Sequence, residues 1–491
     1  MRLARSKVVP PKESPTFGQK MARFADMARY DWLSDHARER LKICVLDALG
    51  CAIAAIGQGP LPALREHTDA FGGAKFCTLI GGGRTAPDRA AFYNGALVRY
   101  IDFNDSYLGE AGTCHPSDNL AAILAACEYA GRRGKELMTA LAVAYQIQCR
   151  LIETTPVMAK GFDHCTFLSY SVAAGAGKAL GLGRDKIAQA IALAGDSSLT
   201  LTVTRAHPMS NWKGLAAPQA ATTAIHTTFL AQRGITGPLA VFEGPKGFFE
   251  IARENPPEID WNREDLEAVT RTTLKPNNAE VHTQSTIEAT LDLRAEHEFK
   301  ATEIERIDIE VFKVAYDIVG GGAWGDRKRV LIKEEADHSL PYIVAVALLD
   351  GRVQPTQYAP ARIASRDVQR LLHRVYVTSR SGYTSRYPRE VRSRVTVRLK
   401  DGRELVKEKH DHHGFVTRPF TWDDAATKFD RLAEGHAPVE LRRRIVDAVQ
   451  RLDKITVSDL MTMLARAGRA TGVRRPRMRT AARTAAKARK V

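Results

Sequence analysis

Along the first 270 residues apolar side chains return every three or four positions, the spacing of helices that bury one face. The pattern predicts helices over 36–56, 118–130, 134–151, 166–180, 184–195 and 214–233. Gly131, Gly181 and Gly234 stand where three of them should close, because glycine accepts the left-handed turn that ends a helix. Alanine and glycine crowd the predicted faces, which allows close packing. From about residue 300 the period changes. "IERIDIEVFKVAYDIV" (304–319) sets Ile304, Ile307, Ile309 and Val311 among charges in imperfect strand alternation. "SRVTVRLKDGRELVKEK" (393–409) is two alternating runs joined by Asp401-Gly402, a strong hairpin signal. A buried helix is predicted over 339–352, and helical period returns over 421–433 with Thr421 as its N-cap. No repeat is evident. The chain thus reads as mainly α: a flexible N-terminus over 1–20, a large all-helical domain over 21–272 that 415–460 rejoins, a smaller α+β domain over 273–414, and a tail over 466–491.

Composition narrows the function classes. The chain has 491 residues, 44% hydrophobic and 26% charged, enough to bury a large core. No apolar run approaches the roughly 18 residues of a membrane span, and "MRLARSKVVPPKESPTF" puts prolines and charges where a signal peptide would be apolar. A cytoplasmic protein with no membrane partner is expected. The net charge of +16 would suit nucleic acid, but from Arg466 to Lys490 there are eight Arg, two Lys and no acid. Most of the excess is therefore a tail poor in large apolar residues, expected to be disordered, and nucleic-acid contact is open only through it. Seven cysteines, at 44, 51, 77, 114, 127, 149 and 165, form no CxxC and mostly fall within apolar helical pattern. Reduced, buried thiols are expected, with no disulfide framework, zinc site or iron–sulfur cluster.

Polar groups gather in a few places. "YIDFNDSYLGEAGTCHPSDNLAAILAACEYAG" (100–131) sets acids, hydroxyls and His115 before a small-residue helix, and burying titratable groups is costly unless they are paired or used. His164 precedes a second such helix, Lys213 a third and His282 a fourth. Helix N-termini already favour negative charge, so four such segments, converging, would make a pocket for a polyanion. A lone histidine there is an ordinary cap; the recurrence points to a site. Elsewhere, "HDHHG" (410–414) reads as an exposed loop rather than a metal site, and "GGGAWG" (320–325) and "EGPKGFF" (243–249) as turns, since neither has the strand-loop-helix context of a nucleotide site.

Several stretches in the same order carry a resemblance: "DFNDSY…HPSDNLAAILAACEYAG", "GFDH" before "GKALGLGRDKIAQAIALAG", "SNWKGLAAPQAA", "ITGPLAVFEGPKGFFE", "KPNNAEVHTQSTIEA" and "ADHSLPYIVAVALLDG". From about residue 20 to 455 the chain resembles the MmgE/PrpD family, which contains 2-methylcitrate dehydratases and cis-aconitate decarboxylases. The resemblance implies a homodimer whose subunits have a large helical domain and an α+β lid, an active site in the cleft between them, and no metal or organic cofactor. It also implies active-site roles for Asp102, Ser106, His115, His164, Lys213 and His282. Asn104-Asp105-Ser106 stands where relatives usually have Asp-Asp-Thr, which keeps the hydroxyl. "LGEAGTC" between Tyr107 and His115 is longer than the decarboxylase connection and brings Glu110 and Thr113 toward the site. "FDH" is closer to the dehydratase branch. Asn277-Asn278 replaces the usual aromatic-proline pair after Lys275 and alters the pocket.

The chemistry follows from the reaction itself. Removing water from a β-hydroxy polycarboxylate needs a base for a carbon-bound proton, an acid for the departing hydroxide, and cations for the carboxylates and the enolate-like charge. His164 and His115 suit the proton transfers, with Asp102 charging or orienting one imidazole and Ser106 bonding the substrate. Lys213, Lys275 and Arg205 can clamp carboxylates, and His282 closes over the substrate from the lid. Which histidine is acid and which base stays open, as does decarboxylation of a cis-aconitate-like acid. A silent relative that only binds a carboxylate ligand is the other alternative.

Overall fold

The computed structural model describes residues 14–468. Helix α1 (Phe17–Met27) starts where the Thr16 hydroxyl accepts from the Gln19 N–H and the Gln19 side chain accepts from the Thr16 N–H. The stretch expected to be flexible through residue 20 is therefore helical from Phe17, whose ring meets Phe242, Phe249 and Trp261 edge-on. The body continues with α2 (Asp35–Ala54), α3 (Leu61–Phe71), α4 (Pro87–Tyr100), α5 (Leu120–Tyr129), α6 (Gly134–Thr154), α7 (Cys165–Leu180), α8 (Arg184–Ser197) and α9 (Ala216–Gln232). The predicted helices stand within three residues of their observed ends. Helix α7 is the hub, packed against α6, α8 and α9, and the small residues explain how. A Cβ added at Gly175 would lie 2.8 Å from Ile123 Cδ1 and 2.9 Å from the Ala140 carbonyl, so α5 and α6 approach to backbone distance.

Two hairpins interrupt the helices, β1 (Cys77–Thr78) with β2 (Arg84–Thr85) and β3 (Tyr107–Leu108) with β4 (Thr113–Cys114). Two-residue strands have no period to read, so the helical pattern hid them. The "EGPKGFF" turn leads into a short helix, α10 (Phe248–Ala252).

The α+β part is built on β5 (Ile304–Val311), β6 (Val375–Ser379), β7 (Ser393–Leu399) and β8 (Glu404–Lys409), in the order β6-β5-β7-β8. Strand β5 pairs parallel with β6 and antiparallel with β7, and β7 and β8 form the hairpin at Asp401-Gly402. A register shift between Ile304 and Arg306 accounts for the imperfect alternation of β5. The strand pattern read through residue 319 stops at Val311, where the chain turns into a helix ending in the wide turn Tyr316–Gly320. Helix α11 (Gln284–Glu296) packs on β7, β8 and the predicted buried helix, found at Leu340–Asp350.

Two cores result. One joins residues 17–274 with 420–467, the other spans 279–415. The returning helix Trp422–Ala433, capped by Thr421 as predicted, lies on α2 and sends Lys428 inward, 2.6 Å from Asp47 and 2.8 Å from the Phe103 carbonyl. All seven cysteines are buried free thiols. In "HDHHG" the expected exposed loop is only partly so: His412 is fully buried beside Phe415, with Nδ1 at 2.8 Å from the His413 carbonyl. Among the described residues no helix is long and apolar enough to cross a membrane. The basic tail lies outside the described residues from 469 onward.

Candidate active site

Helix α4 ends at Tyr100, and Asp102 occupies the left-handed position just beyond it with φ 56°. Glycine usually fills that position. Here the turn instead aims a carboxylate back at its own helix: Asp102 Oδ1 accepts from Arg99 Nη1 at 2.6 Å and from Lys275 Nζ at 3.0 Å, while Oδ2 accepts from Lys213 Nζ at 3.1 Å. Lys213 also donates to Asp337 Oδ1 at 2.8 Å, and Lys333 lies 2.7 Å from Asp337 Oδ2. Burial opposes charge on Asp102, yet Arg99, Lys213, Lys275 and His338 hold its carboxyl well below the usual range; Asp337 is held low in the same way by Lys213 and Lys333. Four cations thus share two carboxylates, leaving a surplus of positive charge that burial of Lys213 reduces by lowering its pKa. Asp118, 3.6 Å from Arg99, adds only part of a negative charge near neutral pH, because burial pushes its pKa up to about 7.

Four imidazoles face a cavity of about 320 Å³, lined from the helical body by Arg99, His115, His164 and Arg205 and from the α+β side by His282, His338 and Tyr387. The hydrogen bonds set their tautomers. His115 Nδ1 stands 2.8 Å from the Asp105 carbonyl, which can only accept, so Nδ1 carries the proton and Nε2 is left as the acceptor. Ser106 Oγ sits 3.1 Å from the same Nδ1. Asp105 fixes this turn further, its carboxylate accepting from the Ser117 N–H and hydroxyl and from the Tyr145 hydroxyl. Burial, then Arg99 and Lys275, drive the His115 pKa well below its ordinary value.

His164 lies edge-on to His115 at 5.3 Å, but its Nε2 accepts from Arg205 Nη2 at 3.3 Å. Arg205 holds both oxygens of Asp163, at 2.8 and 3.0 Å. His338 donates from Nδ1 to Asp337 at 2.8 Å. Burial lowers His164 and His338 to about 4 each. On the opposite side Glu280 grips His282 twice, at the backbone N–H (2.8 Å) and at Nδ1 (2.6 Å), and His282 Nε2 stands 3.1 Å from the Tyr387 hydroxyl. Burial opposes charge on Glu280, but the His282 imidazole outweighs it and holds the carboxyl below its ordinary value.

Two clusters have the donor set of a metal site, Asp163-His164-Cys165 and Asp102-Asp337-His338. In both, arginine or lysine already bonds the carboxylates. A divalent ion there would meet those cations at contact range, so neither set fits one.

The MmgE/PrpD N-terminal domain matches residues 19–259 and the MmgE/PrpD C-terminal domain residues 278–454. The chain belongs to the MmgE/PrpD family. It is 26% identical to a 2-methylcitrate dehydratase of Salmonella typhimurium, over 79% of this chain and 84% of that one, and 27% identical to a 2-methylcitrate dehydratase of Cupriavidus necator, over 81% and 85%. A 2-methylcitrate dehydratase-like protein, oryR, of Aspergillus oryzae is 27% identical over 91% of this chain and 96% of that one.

For this family member, all eight residues singled out from the sequence converge. His115, His164, Lys213 and His282 all stand at helix starts, three of them through a single 3-10 turn: Pro116–Asn119, Asn211–Gly214 and Val281–Thr283. Of these eight, His115, His164, His282 and Arg205 line the cavity. Asp102, Ser106, Lys213 and Lys275 lie behind it, and the two lysines spend their ammonium groups on Asp102 and Asp337 rather than on the cavity. Thr113, on the longer loop, does reach the far wall, 3.5 Å from His282 Nε2. Sequence reasoning missed Arg99, Glu280, Asp337, His338 and Tyr387. Arg99 is the group that replaces the lysines: among the described residues its Nη2 has no protein acceptor.

Proposed function

We propose that this MmgE/PrpD member is a lyase that removes water from a small hydroxy-polycarboxylate of the 2-methylcitrate kind, without a metal or organic cofactor. The reading rests on one observation: a neutral imidazole with a free acceptor nitrogen, His115, and a carboxylate-backed imidazole, His282, face one cavity from two different domains. Arg99 and the surplus positive charge behind it bind a carboxylate and stabilise the enolate-like charge that grows beside it. His115 Nε2 takes the carbon-bound proton. The Glu280–His282 pair is the source of the proton that turns the departing hydroxide into water. His164, its Nε2 held by Arg205, orients the substrate. The names of the relatives support dehydration, and decarboxylation makes no comparable use of a free base at His115.

Incubation with a panel of hydroxy-polycarboxylates including 2-methylcitrate, with and without a chelator, should give an unsaturated product visible by ultraviolet absorbance at equal rates. His115→Asn should lower turnover by about 10²–10⁴-fold with little change in affinity. Binding of the acids with no product from any of them would leave a carboxylate-binding protein; loss of turnover on chelation would overturn the cofactor-free reading.

The proposal includes self-association. Leu201 (56% exposed), Val203 (71%) and Trp212 (47%) stand on the loop that carries Arg205 and Lys213, an apolar surface suited to a second subunit. Sedimentation of the purified chain should return a dimer.

A further inference from the structure

His282 has no nitrogen left for a substrate. Its Nδ1 is bonded to Glu280, and its Nε2 points at the Tyr387 hydroxyl, 3.1 Å away. A proton leaving this imidazole toward the cavity therefore passes first to the phenol oxygen. We propose that Tyr387 is the catalytic acid itself, donating its phenolic proton to the departing hydroxide, while His282 and Glu280 recharge it; this rests on the dehydration reading above.

The surroundings suit the role. Tyr387 lines the cavity, and its ring is stacked on Phe312 with centroids 4.6 Å apart and planes 14° from parallel, so the hydroxyl is aimed rather than free to swing. Thr113, arriving from the helical body, stands 3.4 Å from the phenol oxygen and 3.5 Å from His282 Nε2, a second hydroxyl that fixes the pair across the domain boundary. Burial raises the phenol's pKa, so the proton is present at any working pH.

The step balances. His115 Nε2 takes the carbon-bound proton, the electrons of that C–H bond become the new C=C bond, and the C–O bond breaks. The leaving hydroxide takes the phenolic proton and departs as water. The phenolate regains a proton from Nε2 of the His282 imidazolium, which Glu280 bonds at Nδ1. Solvent then removes the proton from His115 and returns one to His282, so substrate becomes unsaturated acid plus water with no net change in the protein.

Tyr387→Phe keeps the ring and its stack on Phe312 and removes only the hydroxyl. The variant should be compared with the parent on 2-methylcitrate and on its analogue bearing chlorine in place of the hydroxyl, since chloride leaves without a proton. The expected result is water loss slowed by about 10²–10⁴-fold with KM within a few-fold of the parent, and chloride loss at close to the parent rate. Parent-like water loss, or equal slowing with both compounds, would overturn the role, the second marking Tyr387 as a packing residue. A parent enzyme inert toward both compounds would instead remove the dehydration reading, and the acid with it.

Discussion

Asp102 places a charged residue where the backbone favours glycine, and the strain of its φ of 56° is held by the bonds its carboxylate makes. Neutralising it would leave Arg99, Lys213 and Lys275 crowded together without a counter-charge. Asp102→Asn should therefore cost about 3–5 kcal/mol of stability by denaturant unfolding, the usual penalty for removing one partner of a buried ionic group. The imidazoles make a pH prediction. His164 and His338 sit at about 4 in the fold against an ordinary 6.5, and His115 also lies well below it. Groups depressed on folding contribute stability in full above the unfolded pKa and lose it as pH falls through the folded one, so the melting temperature should drop between about pH 6.5 and 4. Asp118, raised to about 7, acts in the opposite sense, as do Asp47 and Asp105, which burial also raises, but His412 and His436 are lowered too, so five imidazoles stand against three carboxyls. The acid limb of the rate should likewise lie below 6.5, because His115 stays neutral there. At this scale the sequence was legible where a residue has a local marker: a histidine or lysine before a small-residue helix is visible in one dimension. Arg99, inside α4, reads like any helix charge, and Tyr387 stands 105 positions from the imidazole it bonds. The lysines were identified, but only the fold shows which carboxylates claim them.

Among the elements, α7 shows how far composition specifies packing. Its Gly175 touches Ile123 of α5 and Ala140 and Ala144 of α6. Gly175→Val would force both neighbours outward, and the variant should lose at least 1–3 kcal/mol in urea unfolding, the ordinary cost of overpacking; an unchanged midpoint would mean that α5 and α6 can separate freely. Helices of this kind were readable because a 3.6-residue period runs for three turns or more. The β3–β4 hairpin was not, though it delivers Thr113 to the cavity wall and His115 to the next turn. Two-residue strands are specified by the partner strand and by Asp105, whose bonds to Ser117 and Tyr145 lie outside any local window. The end of β5 at Val311 was misread for a related reason: Val314 and Ile318 keep an apolar rhythm, but both turn toward the cavity.

Over the whole molecule, the reversal of period near residue 420 marks the return to the first core, whereas the change near 300 falls inside the second, which begins at 279 and already includes α11. What the linear pattern could not tell is that the returning helix is tied to the site. Lys428 reaches Asp47 of α2 and the Phe103 carbonyl, one residue beyond Asp102, and its ammonium lies 3.8 Å from the centre of the Phe103 ring. Lys428→Ala should strand Asp47 as a buried, unpaired carboxylate and cost about 3–5 kcal/mol, and it should also slow turnover by loosening the Phe103 carbonyl next to the charged cluster. A stability loss with unchanged turnover would separate the two effects.

The helical core is finished by residues made after the α+β domain. Its first portion ends at 274 and its second begins at 420, with the α+β core between them. On a ribosome adding about 5–20 residues per second, roughly 7–30 s pass between the two. Throughout that interval the face of α2 around Gly50, where Phe429 will pack closely enough that an added Cβ would lie 3.3 Å from it, lacks its cover. The nascent chain must hold an unfinished apolar surface while an entire second domain is synthesised, so the interval favours capture by a chaperone, and a stall or truncation within the α+β segment would yield an aggregating fragment rather than a stable half.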